Sequence, residues 1–210
     1  FILGGLLRFY KIDARCLYGD EVLTQDIIAQ SCVQDVWQNV TKNFHSDLPL
    51  FYVLFYYWSL LGKSPFWLRS LSAISGLLII LVGYKLVKYL FGRKTALLAS
   101  FFISISPLLV LYSQSLRYFS LNALFNLLSL YLFIKAIHKN RISSWAYYAV
   151  IRTISIYISY SSFLFFLSEG FFIFLYRKKY PLSFKRWLFS LIVILWLWLP
   201  VVTFFFRDIG

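Results

Sequence analysis

Long apolar runs separated by short charged stretches dominate the chain. Uncharged runs occupy Ser70–Tyr84, Thr95–Leu116, Tyr118–Ile134, Thr153–Ser168 and Trp187–Phe206. A spanning helix needs about 20 mostly apolar residues. Allowing Lys and Arg at the ends to snorkel, the pattern predicts six transmembrane helices within 66–206, near 66–86, 95–112, 118–136, 145–161, 163–177 and 187–206. Residues 1–7 read as the end of one more span, and 8–65 as an external loop carrying interfacial helices. The expected fold is all-α: one polytopic membrane helical bundle over 1–210, whose external first loop bears amphipathic interfacial helices.

Two parts of that loop are patterned. From Asp20 to Phe44, Val22, Leu23, Ile27, Val33, Trp37, Val40 and Phe44 recur mostly at steps of three and four among polar residues. This spacing predicts an amphipathic helix, or a pair, suited to the membrane surface. Gly19-Asp20-Glu21 stands at its start, where carboxylates meet free N–H groups and the positive end of the helix dipole. Asp20 therefore also reads as a simple N-cap. Leu48–Gly62 is apolar and aromatic, but fifteen helical residues rise only about 22 Å against a hydrocarbon core of ~30 Å. We read it as a re-entrant or interfacial helix, the alternative being a true span. If it does not cross, the 8–65 loop and the short loop around Arg117 face the same compartment; if it crosses, they are on opposite sides.

Charge gives the spans a direction. Lys85, Lys88, Arg93 and Lys94 form one basic cluster, Lys135, Lys139 and Arg141 a second, and Arg177, Lys178, Lys179, Lys185 and Arg186 a third. Two predicted helices separate each cluster from the next, so all three share one side, expected to be cytoplasmic. No acidic residue occurs from Leu48 to Ser168. Only 14% of residues are charged and 60% are apolar, which excludes an ordinary soluble domain. The net charge of +13 lies in loops between spans, so no nucleic-acid partner is expected. The reading is an integral, multi-pass protein of the plasma or inner membrane, or of the endoplasmic reticulum in a eukaryote. With no methionine and Phe1 opening inside an apolar run, the sequence reads as part of a longer polypeptide.

Cys16 and Cys32 both fall in the external loop; a disulfide and two ordinary small residues are the alternatives. Neither has metal-ligand spacing, and His45 and His138 fall on opposite sides of the predicted topology. Gly-rich phosphate loops and G-x-S-x-G are missing, so soluble nucleotide chemistry has no support.

Four stretches, in order, carry a resemblance. Leu17-Tyr18-Gly19-Asp20-Glu21 is similar to an Asp-Glu motif in a first external loop. Asp47-Leu48-Pro49-Leu50-Phe51-Tyr52 is similar to Asp-x-His-Pro-Pro-Leu-Tyr-Tyr, without the His. Gly62-Lys63-Ser64 through Arg69-Ser70-Leu71-Ser72-Ala73 matches Gly-x-Ser-x-x-x-x-Arg-x-x-Ser-Ala. Ser106-Pro107 followed by Tyr112-Ser113-Gln114-Ser115-Leu116-Arg117-Tyr118 matches Ser-Pro…Tyr-Ser-Gln-Glu-Ala-Arg-x-Tyr, with Ser115 in place of Glu. Together these resemble the GT-C superfamily of membrane glycosyltransferases, in the branch of dolichyl-phosphate-mannose protein mannosyltransferases and bacterial aminoarabinose transferases. The chain resembles the N-terminal half of such enzymes.

The resemblance implies transfer of a sugar, with inversion, from a polyprenyl-phosphate donor to an acceptor protein, lipid or glycan at the outer membrane face, the lipid tail lying among helices. Such transfer needs a base for the acceptor hydroxyl and positive charge for the departing phosphate. Asp20 is the expected base, with Glu21 assisting and Asp47 as a further catalytic carboxylate. Arg117 is expected to hold the donor phosphate, supported by Tyr118 and Gln114. A divalent cation is an open cofactor, with Asp20 and Asp47 as its ligands if one binds. Lys63 and Arg69 are read as lipid-headgroup contacts. Arg152 and Glu169 fall mid-span in neighbouring helices, where isolated charges are costly, and are expected to pair or to touch the donor groove. The alternative is a transporter or lipid flippase without transferase activity, or a non-catalytic scaffold. A transporter would gather its polar groups at mid-membrane; an enzyme would gather Asp20, Glu21, Asp47 and Arg117 at the outer surface.

Overall fold

A computed structural model describes residues 1–43 and 48–207. Among them are 11 helices and no strand, so the class is all-helical, as the hydropathy pattern requires. The chain divides into two compact units, Phe1–Leu124 and Phe125–Gly210.

The first unit opens with α1 (Ile2–Phe9), α2 (Asp20–Ile28) and α3 (Val33–Asn43). The amphipathic stretch is thus a pair of helices, not one. Its packed face agrees in part with the expected one: Ile27 and Val40 are buried, with Ile28 and Val36 beside them, while Val22 and Leu23 are exposed. These four pack with Phe51, Tyr52, Phe55 and Tyr56 of α4 (Pro49–Ser59). The buried part of the apolar stripe therefore packs on protein, against the aromatic helix beside it.

α4 has 11 residues and rises about 16 Å, too short to cross the hydrocarbon core. It turns at 60–64 into α5 (Pro65–Phe91), where Ser64 accepts the Trp67 backbone N–H (3.2 Å) as N-cap and Pro65 fills the first turn, which needs no donor. Trp58 and Trp67 clasp this turn. Their rings stack at 4.9 Å, and each indole N–H donates to the other's backbone carbonyl at 2.9 Å.

α5 has 27 residues, about 40 Å, ample for a span. It is followed by α6 (Arg93–Ile105) and α7 (Pro107–Ser113), which bend by 59° at Ser106-Pro107 and form one broken candidate span. Proline has no N–H, so the Ile103 carbonyl loses its helical donor. Arg8 supplies the replacement: its guanidinium, fully buried, donates to the carbonyls of Ile103 (3.2 Å), Ser104 (3.1 Å) and Gly4 (3.0 Å). Helices α1, α5 and α7 converge at Gly76, where an added Cβ would collide with the Ser113 hydroxyl and lie 2.7 Å from Arg8 Nε. Arg8 is held by three carbonyls and cannot yield. Gly76→Ala is therefore expected to cost about 1–3 kcal/mol in thermal unfolding in micelles, although the same change in an open helix gains about 1 kcal/mol.

The second unit continues α8 (Phe119–Lys139) and adds α9 (Ile142–Ile158), α10 (Ser162–Leu175) and α11 (Pro181–Arg207). Asn140 ends α8 in the left-handed region (φ 46°), which Asn tolerates well; its side-chain oxygen accepts from Arg186 at 3.0 Å. The core joins Phe133, Trp145, Tyr148, Phe166, Ile173 and Trp187. By length and composition α5, α8 and Pro181–Leu199 of α11 are candidate spans, and the broken α6–α7 pair a fourth. The runs expected to span at 145–161 and 163–177 form α9 and α10, of 17 and 14 residues.

Candidate active site

Gly19, at φ 54°, turns the chain into α2 and sets Asp20 and Glu21 in its first turn. The two carboxylates have different surroundings. Glu21 is held on three sides: Arg69 Nε donates to Oε1 (3.1 Å), Arg69 Nη2 to Oε2 (2.6 Å), and the Leu116 backbone N–H to Oε1 (2.6 Å). Its side chain is 14% exposed. Asp20 is 68% exposed and faces Arg117, with Oδ2 at 3.6 Å from Nη2. That separation is an ion pair without a direct hydrogen bond, so Asp20 keeps oxygens open to a ligand.

Arg117 is itself largely covered, at 13% exposure, with its guanidinium 5.4 Å from the Tyr118 ring centroid and 5.9 Å from that of Phe119. Tyr118 packs edge-on against Phe51 at 5.8 Å. Gln114 turns its amide to α1, donating to the carbonyls of Leu7 (2.9 Å) and Tyr10 (3.2 Å). Of the residues expected to bind phosphate, Arg117 thus borders the cluster beside Asp20, and Gln114 directs its donors to the main chain. Asp47 and His45 lie outside the described residues. Among the described residues, no three His, Cys, Asp or Glu side chains gather as a metal site. Both cysteines are free thiols.

A cavity of about 410 Å³ opens beside this cluster. Arg117, Lys11, Arg15 and Arg69 supply its cations, Leu111, Tyr112 and Phe119 an apolar wall, and Glu21 its one acid. Because Arg69 and Glu21 neutralise each other, the cavity is left net positive. It suits an anion joined to an apolar or sugar moiety.

Arg69 departs from its expected role. It is 2% exposed, donates to the carbonyls of Ile12 (2.8 Å), Arg15 (2.8 Å) and Cys16 (3.2 Å), and touches no headgroup surface. A signal existed: Arg69, Ser72, Ala73 and Gly76 share one helical face of small buried residues. Lys11 and Arg15 escaped notice because the 10–19 turn has no periodicity.

Arg152 and Glu169 form a direct ion pair within the second unit, both buried. Tyr148 donates to the other Glu169 oxygen (2.7 Å), and Arg152 to Asn126 (2.7 Å) and Ser155 (3.3 Å); Asn126 in turn donates to Ser162 (2.9 Å). Both Nη atoms of Arg152 and both oxygens of Glu169 are bonded within the group, while Arg152 Nε is buried without a hydrogen-bond partner; this is the arrangement of a structural pair.

No curated protein and no solved structure matches the chain. The sequence model of one family of membrane glycosyltransferases matches residues 48–204, a stretch that begins after Asp20 and Glu21 and contains Arg69, Arg117, Arg152 and Glu169. On that match the chain is a membrane protein and belongs to the dolichyl-phosphate-mannose-protein mannosyltransferase family.

Proposed function

We propose that this protein transfers a sugar, with inversion, from a polyprenyl-phosphate donor to an acceptor hydroxyl at the outer face of the membrane. The carrying observation is the approach of Asp20 to Arg117, a base and a phosphate-binding cation far apart in sequence, at the edge of a positive cavity. In the reaction the acceptor oxygen attacks the anomeric carbon and Asp20 takes its proton. The bond from the anomeric carbon to the phosphate oxygen breaks, and its electron pair leaves with the polyprenyl phosphate. Arg117 stabilises the charge that develops there. A single displacement inverts the centre.

The outer face is supported by α5. Its Pro65 end carries Arg69 and the site, and its far end carries Lys85 and Lys88, the basic side expected in the cytoplasm. Transport loses its main support because the buried Arg152 cluster satisfies its own charges instead of lining a path.

A panel of radiolabelled sugars on polyprenyl phosphate, mannose among them, offered to membranes containing the full-length protein, tests the proposal. Label should move to an endogenous acceptor; no transfer by well-expressed protein would overturn it. Lys11 and Arg15, exposed on the cavity rim, are expected to strengthen donor binding without touching the chemistry. Lys11→Gln with Arg15→Gln should raise donor KM about three- to tenfold and leave kcat near its original value, as steady-state transfer kinetics will show.

A further inference from the structure

We propose that Arg69 is a positioning residue of the transfer site, acting through Glu21 to fix the separation between Asp20 and Arg117. The proposal rests on the transferase reading for its kinetic part only. Arg69 borders the cavity, yet all five of its N–H donors are taken: Nε by Glu21, Nη1 by Ile12 and Arg15, and Nη2 by Cys16 and Glu21. A guanidinium has five donors and no more, so Arg69 has none left for a substrate. Its effect passes through what it holds.

Glu21 is the link. One of its oxygens accepts from both Arg69 and the Leu116 N–H, and the other accepts from Arg69. Glu21 follows Asp20 directly, and Leu116 precedes Arg117 directly. The carboxylate therefore ties the N-terminus of α2 to the turn after α7, one residue from each reactive group. Arg69, anchored in the first turns of α5, sets where that tie sits. The same guanidinium pins the carbonyls of residues 12, 15 and 16, which form the cavity wall bearing Arg15 and Cys16. Glu21 thus serves as a brace, leaving Asp20 as the carboxylate available for proton transfer.

Lysine keeps the charge but loses the planar fork, and cannot meet both carboxylate oxygens and three carbonyls. The test uses the full-length protein in membranes, with Arg69→Lys as the main variant. Transfer from polyprenyl-phosphate mannose gives kcat and donor KM, and the stoichiometry of bound donor counts the competent molecules. For each competent molecule, kcat should fall about ten- to a hundredfold, as expected when reacting groups are misplaced by about an ångström. Donor KM should stay within about threefold, since Arg117, Lys11 and Arg15 remain. Spin labels on the Asp20→Cys and Arg117→Cys sites, in a background with Cys16→Ser and Cys32→Ser, read the separation of the two backbone positions without any turnover. The distance distribution should be narrow in the parent and broad in Arg69→Lys. If Arg69→Lys does not accumulate, Glu21→Gln, which keeps the side-chain length and removes one acceptor, should give the same broadening. An unchanged distribution, or an unchanged kcat in the competent fraction, would overturn the proposal. Should the parent transfer no sugar, the transferase reading fails alone, and the label distances still decide the role of Arg69.

Discussion

Asp20→Asn in the full-length protein is expected to lower kcat by about 10²- to 10⁴-fold, the usual contribution of a general base, while protein level and donor binding persist. Asparagine keeps the shape of the side chain and the helix start but cannot accept the acceptor's proton. The position is 68% exposed, and its contact to Arg117 at 3.6 Å is a surface ion pair, worth at most about 1 kcal/mol. Loss of rate therefore has no route through unfolding. Glu21→Gln provides the contrast. That carboxylate neutralises a buried Arg69, and removing one member of such a pair costs about 3–5 kcal/mol. Its signature is a lowered unfolding temperature in micelles, whereas Asp20→Asn should leave that temperature unchanged. Radiolabel transfer and thermal unfolding on the same preparations separate the two carboxylates. Asp20→Asn with the parent's rate would remove the base from the mechanism.

Arg152→Leu is expected to be the most damaging single change to the second unit, lowering stability by about 3–5 kcal/mol. It leaves the Glu169 carboxylate buried beside the Tyr148 hydroxyl and removes the Arg152 hydrogen bond to the Asn126 carbonyl oxygen. The double change Arg152→Leu with Glu169→Leu removes both charges and should recover much of the loss, because apolar replacements of a buried pair are often neutral. If these charges instead served the protein's activity, the double variant would regain stability but stay inactive. Thermal unfolding of both variants, with sugar transfer per folded molecule, distinguishes the outcomes.

The helices and the meeting of Asp20 with Arg117 were legible in advance, because long apolar runs leave few alternatives and because several motifs fell in order along the chain. What stayed hidden has a common physical cause. Arg69, Arg8 and Gln114 all bond to backbone carbonyls, which every residue carries and which leave no trace in sequence. A charged residue near a helix end also reads as a boundary marker, although its burial depends on the face it occupies. For Arg69 that face is the small-residue face of α5. The α2–α3 pair was legible in part for a related reason: periodicity shows that one side is covered but does not name aromatic α4 as what packs on it. The pair Arg152–Glu169 was visible because two opposite charges at similar depth in adjacent helices have few other ways to be neutralised.

Arg8 and Pro107 are bound together more closely than their distance along the chain suggests. A residue with an N–H at 107 would let the helix satisfy its own carbonyls and strand the guanidinium in an apolar interior. Losing the guanidinium while proline stays would leave those carbonyls thirsting for a donor. Drift at either position is consequently conditional on the other, and relatives that straighten this helix should also have discarded the arginine.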